Sequence, residues 1–265
     1  MRELDPSTGQ SLNTFRRGTT FDLVVDLYKF DERLRSAVFT DLIQIELARR
    51  AQIGHILGRV DPLIHLDENK LGPVARQPDR NNKGKTVFQV WSGKYQTAIK
   101  QSREDFVDHH IKNCGGQLPN WVAVEVMGWG TLSHLFRISP KRARDEIASQ
   151  FKLSAAQFDS WLKCLNILRN LSAHHARLFN RGFDITPKLS DDTCLDAIRN
   201  ENNRVFAQLT LIRFLQEQLG FRNNSLLPDL LESYPHNDLV PFSRLGIPFE
   251  VAGAPFDWRT HPLWR

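Results

Sequence analysis

Phe158-Asp159-Ser160-Trp161-Leu162-Lys163-Cys164-Leu165-Asn166-Ile167-Leu168-Arg169-Asn170-Leu171-Ser172-Ala173-His174-His175-Ala176-Arg177-Leu178-Phe179-Asn180-Arg181 is the stretch that decides how this chain folds. On a helical wheel at about 100° per residue, Phe158, Trp161, Leu165, Leu168, Leu171, His175, Leu178 and Phe179 share an apolar arc wide enough to face a core. Ala173, Asn166, Arg177, Asn170, Arg181 and His174 fall together within about 140° on the other side. Between Asn166 and Arg181 there is no lysine and no carboxylate, and the polar stripe holds only planar donors, amides and an imidazole. That set suits binding and cleaving a phosphodiester better than simple solvation. His174 lies on the stripe, whereas His175 falls in the apolar arc, where a hydrogen-bonded core histidine is expected.

Just upstream, Ser154-Ala155-Ala156-Gln157 has the form of a capping box, so the motif helix is expected over residues 154–180. Further back, Phe21, Val24, Val25, Leu27, Tyr28, Leu34, Val38, Leu42, Ile45, Ile53, Ile56 and Leu57 recur at helical spacing until Gly58 and Pro62. Residues 67–92 break that pattern. Their breaker-rich segment carries Arg76, Arg80, Lys83 and Lys85 against Asp79, and reads as an exposed, mobile, basic loop able to follow a phosphate backbone. A helix over 93–112 follows, stopped by Gly115-Gly116, then short helices over 122–127, 132–137 and 141–151. Beyond the motif a helix is expected over 192–219, ending at Gly220. The segment 227–265 holds six prolines with Trp258 and Trp264, and should wrap the helical body as an irregular tail pinned by its aromatics. The organisation is therefore an N-terminal extension over 1–19, a helical domain over 20–226 and the tail over 227–265, with an all-α fold class.

Composition narrows the function less than the motif does. A net charge of +5, with 24 of the 35 basic residues arginine, is compatible with a phosphate-bearing partner but does not require one. Three cysteines far apart in sequence suggest neither a disulfide framework nor a zinc site, and the cytoplasm is the expected compartment. No run reaches the roughly 18 apolar residues of a membrane helix, and the first residues lack the apolar core of a signal peptide. No His, Asp or Glu cluster has metal-ligand spacing, so no cofactor is expected. An arginine followed by four to six residues and a histidine is weak as bare spacing, since roughly two or three such matches arise by chance in a chain of this composition. Arg50 with His55 and Arg103 with His109 are two such pairs, both read as structural.

Residues 168–181 closely resemble the signature of Abi-like proteins, in which Arg-Asn is followed by Ala-His-His, an Arg and a terminal Asn-Arg. Leu27-Tyr28-Lys29-Phe30-Asp31-Glu32-Arg33-Leu34-Arg35 with Ile45-Glu46 is similar to the family's first helices. Trp121, Glu125, Gly130, Leu132 and Ser133 resemble its middle motif, and Gly246-Ile247-Pro248, Trp258, Pro262 and Trp264 its C-terminal box. The likeness spans about residues 20–265. Family members usually carry a further N-terminal segment with a Tyr-Tyr-Arg-Leu-like motif, where here only 19 residues precede Thr20.

The resemblance implies a HEPN-like helical bundle and a metal-independent endoribonuclease of an abortive-infection or toxin-type phage defence system. HEPN enzymes use the ribose 2′-hydroxyl as nucleophile and leave a 2′,3′-cyclic phosphate. Arg169 would then stabilise charge on the phosphate, Asn170 hold the geometry and His174 move protons. Asn166, Arg177 and Arg181, with the four loop cations, would contact RNA. One chain supplies one such motif, so a homodimer with a composite site is expected. Partners would be the RNA substrate and a non-coding RNA or protein antitoxin. The alternative is a non-catalytic RNA-binding or antitoxin-RNA-binding module of the same defence system.

Overall fold

A computed structural model describes residues 2–221 and 224–265. The fold is all-α, with only short two-stranded hairpins beside the helices. The chain divides into two compact units, one of residues 1–42 with 167–265 and the other of residues 43–166.

Helix α1 spans Phe21–Val60. Its start is fixed by Thr20, whose hydroxyl accepts the Leu23 N–H at 3.2 Å, and Asp22 and Arg59 sit at the ends where the helix dipole favours each charge. Leu23, Leu27, Phe30, Leu34, Val38 and Leu42 are buried at the three- and four-residue spacing read from the sequence.

The unit of residues 43–166 adds α2 (Val87–Gln101), α3 (Asp105–Asn113), α4 (Asn120–Ala123), α5 (Trp129–Ile138) and α6 (Lys141–Ser149). Trp91, Tyr95, Phe136, Phe151, Phe158 and Trp161 are fully buried there, and Phe151 stacks on Phe158 at 4.7 Å. The single helix expected over 93–112 is two helices. Ser102 is extended, with ψ 142, and its hydroxyl accepts the Glu104 N–H, a local bond that competes with the helical ladder.

Residues 67–92 also contain regular structure. The Gly72 N–H donates to the Ile138 carbonyl at 2.7 Å, and a Cβ there would meet the Ser139 carbonyl at 2.6 Å, so only glycine fits. Pro73–Arg76 forms a 3-10 turn, and a capping box between Thr86 and Gln89 opens α2 within the stretch read as loop. In between, the Asp79 carboxylate accepts from the Asn81 N–H and the Asn82 amide. Arg76, Arg80, Lys83 and Lys85 remain exposed.

In the other unit the N-terminal extension is a hairpin of β1 (Arg2–Leu4) and β2 (Ser11–Phe15). The helix expected over 192–219 is a 3-10 turn over Thr193–Ile198 followed by α8 (Val205–Gln218). The break has a tertiary cause, because Gly182 and Arg204 pair as a β-bridge and the Phe183 N–H takes the Asn203 carbonyl at 2.8 Å. The tail begins with a short helix, α9 (Leu226–Glu232), which the sequence reading did not anticipate. It continues through a hairpin of β3 (Glu250–Val251) and β4 (Ala254–Pro255). Aromatic side chains pin it. Trp264 stacks on Phe206 of α8 at 5.2 Å and Trp258 meets Trp264 edge-on, while the Arg213 Nε donates to the Leu263 carbonyl at 2.8 Å.

Candidate nucleic-acid site

Helix α7 spans Ala155–Ala173. The capping box forms, with the Gln157 N–H donating to the Ser154 hydroxyl at 3.3 Å and the Ser154 N–H to the Gln157 Oε1 at 2.8 Å. Over this span the wheel holds, since Phe158, Trp161, Leu165 and Leu168 are fully buried while Asn170 is exposed.

The helix does not reach residue 180. The His175 N–H bonds to the Ser172 carbonyl at 3.2 Å, the Ala176 N–H to the Leu171 carbonyl at 2.9 Å, and His175 has φ +55. These two bonds around one left-handed residue form a Schellman cap, which normally uses glycine. Histidine and asparagine are among the side chains that enter this region most readily, and Asn180 does the same a few residues later at φ +53. The wheel therefore has no meaning beyond Ala173. His175 is an exposed capping residue rather than a core histidine, and His174 beside it is also exposed. Arg177 and Arg181 lie on the turns that follow, where the Arg181 Nε donates to the Arg177 carbonyl at 2.7 Å.

Asp31 of α1 holds those turns. One carboxylate oxygen accepts the Leu178 N–H at 2.9 Å and the Phe179 N–H at 2.6 Å, and the other pairs with Arg35. Both side chains are buried, so the pair acts in a medium that strengthens it. Downstream, Arg204 donates to the Asn180 side chain at 2.9 Å and to the Arg244 carbonyl at 3.0 Å. Gly246, at φ +88, lies so close to Arg204 that a Cβ would come within 2.2 Å of the arginine Cβ. Asp31, Arg35, Arg204 and Gly246 were not read as site residues. Their signal lay in the segments Leu27–Arg35 and Gly246–Pro248, but which backbone groups they serve depends on contacts far apart in sequence.

Arg169 is half-buried, with its guanidinium over the Phe39 ring at 5.5 Å, and Asn170 precedes His174 by one turn, its carbonyl accepting the His174 N–H at 3.0 Å. Arg169, Asn170, His174, Arg177 and Arg181 thus gather at the end of α7 within one unit. Asn166 and the cations Arg76, Arg80, Lys83 and Lys85 belong to the other unit. Of the two chance pairs, Arg50 is bonded to Glu46 at 2.7 Å and to the Glu125 carbonyl at 2.7 Å, and His109 contacts the Asn113 amide. Among the described residues, no group of three or more His, Cys, Asp or Glu is placed to hold a metal ion. Nor is any described helix long and apolar enough to cross a membrane.

A family model described as Abi-like protein matches residues 3–180. The chain belongs to the Abi-like protein family. The matched region of this Abi-like chain runs from the β1–β2 hairpin through Asp31 and α7 to Asn180, and so takes in both sides of the Asp31 clamp. Membership places it with proteins of the abortive-infection type. No curated protein and no solved structure matches the chain.

The exposed loop cations of this Abi-like protein are each able to neutralise a phosphate without reading a base. Replacing Arg76, Arg80, Lys83 and Lys85 with glutamine should flatten the log–log dependence of RNA affinity on salt by up to about three, at roughly 0.7 per lost single-strand phosphate contact. Anisotropy titrations from low to moderate salt would measure it, and an unchanged slope would make the segment a connector only.

Proposed function

We propose that this Abi-like protein is a HEPN-type endoribonuclease of an abortive-infection defence system, cleaving RNA by attack of a ribose 2′-hydroxyl on the adjacent phosphate without a metal. The observation that carries this reading is the placement of Arg169 and Asn170 on the last turn of α7 and of His174 directly after it, where the cap at His175 ends the helix and leaves both imidazoles in solvent.

In the step proposed, the 2′-oxygen bonds to phosphorus as its proton passes to an imidazole, and the bond to the 5′-oxygen breaks as that oxygen gains a proton. The products are a 2′,3′-cyclic phosphate and a 5′-hydroxyl, with no other reactant consumed. His174 is the proton carrier. Arg169 stabilises the charge gathering on the non-bridging oxygens, and its seat on Phe39 limits the rotamers it must give up. Asn170 orients the phosphate or the ring from one turn away. Arg177 and Arg181 contact the flanking strand.

Cleavage needs one group to take a proton and another to give one, and each motif assigns a single proton carrier, His174. Two copies facing across a two-fold axis are the simplest way to complete the site. Sedimentation should therefore show a homodimer, and a strict monomer with full activity would overturn the composite site. The activity itself is tested by incubating purified protein with labelled RNA. Tight RNA binding with no cleavage would favour a binding module instead.

A further inference from the structure

Beside the motif, the unit of residues 1–42 and 167–265 contains an open cavity of about 700 Å³. It has the size and mixed lining of a site for one or two nucleotides. Arg16 enters it from β2's end, Arg177 from the turn after α7 and Arg244 from the tail. These three side chains are exposed, and among the described residues none has an ion-pair partner. Asp31 and Glu32 are the carboxylates of the lining, but Asp31 is committed to Arg35 and to two backbone N–H groups. The net field of the cavity is thus positive. Tyr28, 68 % exposed, adds a ring on which a base can stack.

A second hollow of about 280 Å³ shares Glu32, Arg35 and His175 with the first and reaches Phe39, the ring under Arg169. Through these shared residues the two hollows adjoin, one lined by Arg16 and the other by Phe39. From this juxtaposition we propose that the cavity is a nucleotide subsite: it holds the single-stranded RNA nucleotide next to the one whose phosphate lies at Arg169, with Arg16, Arg177 and Arg244 on phosphate and Tyr28 on the base. The lining shared by the two hollows favours a strand over a free nucleotide, because neighbouring nucleotides of one strand can occupy both. This deepens the ribonuclease reading but is tested separately from it, by binding alone.

The probe is a fluorescent 2′-O-methyl RNA hexamer, which the proposed reaction cannot cut, followed by anisotropy with the full chain. Arg16→Gln combined with Arg244→Gln should weaken binding at least about tenfold at low salt and lower the salt slope by about 1.4, two single-strand contacts' worth. Tyr28→Ala should weaken it by about tenfold and Tyr28→Phe should not. All these side chains are exposed, so thermal melting should be unchanged. Wild-type affinity and slope in the double variant would overturn the subsite. Binding of AMP as tight as that of the hexamer would overturn the strand assignment. Loss of hexamer binding in these variants, in a protein that never cuts RNA, would keep the subsite and remove the ribonuclease.

Discussion

His174→Ala is expected to abolish detectable RNA cleavage, a loss on the order of 10²- to 10⁴-fold, while thermal melting stays where it is. The imidazole is exposed, so alanine removes no buried contact, and the backbone N–H that bonds to the Asn170 carbonyl is kept. His175 answers to a different physics. It is held at φ +55, where most side chains cost about 1–2 kcal/mol, so His175→Gly should preserve or raise stability and His175→Ala should not. A comparison of the three variants by melting and by RNA cleavage separates proton transfer from helix capping. Full activity in His174→Ala would move the proton carrier to another residue, and His175, which faces both hollows, would be the first to examine.

Asp31→Ala should destabilise the protein by about 3–5 kcal/mol, the usual cost of removing one partner from a buried ion pair. Arg35 would be left buried and unpaired, and the Leu178 and Phe179 N–H groups would each lose their acceptor. Asp31→Asn keeps an oxygen for those amides but not the charge that Arg35 needs, so its loss should be smaller. Because the clamp sets the turn that carries Arg177, residual folded Asp31→Asn should also bind RNA more weakly. Chemical denaturation gives the first quantity and hexamer anisotropy the second. A change in stability below about 0.5 kcal/mol in Asp31→Ala would mean that the turn after α7 stands without it.

The buried faces of α1 and α7 were legible in the sequence because hydrophobic periodicity is local, as were the capping box at Ser154 and the aromatic anchors Trp258 and Trp264. The end of α7 was not. No glycine marks it, and the left-handed residues are His175, which the wheel puts in the apolar arc, and Asn180. Asp31 stands 147 residues from the backbone it holds, beyond the reach of any spacing rule. The break before α8 depends likewise on a bridge to Gly182. Arg169, Asn170, Arg177 and Arg181 are where a reader of the motif would look. Their arrangement follows from a cap and a clamp, and not from the continuous helix that first suggested them.

Cleavage through the ribose hydroxyl at the end of α7 can be read from the ends of the products. Purified protein is incubated with end-labelled single-stranded RNA in excess EDTA, and the product ends are analysed. Cleavage should persist under chelation, leave 2′,3′-cyclic phosphate and 5′-hydroxyl ends, and vanish on 2′-O-methyl RNA and on DNA. Cutting of DNA, or RNA cleavage that stops with EDTA and returns with magnesium, would contradict it.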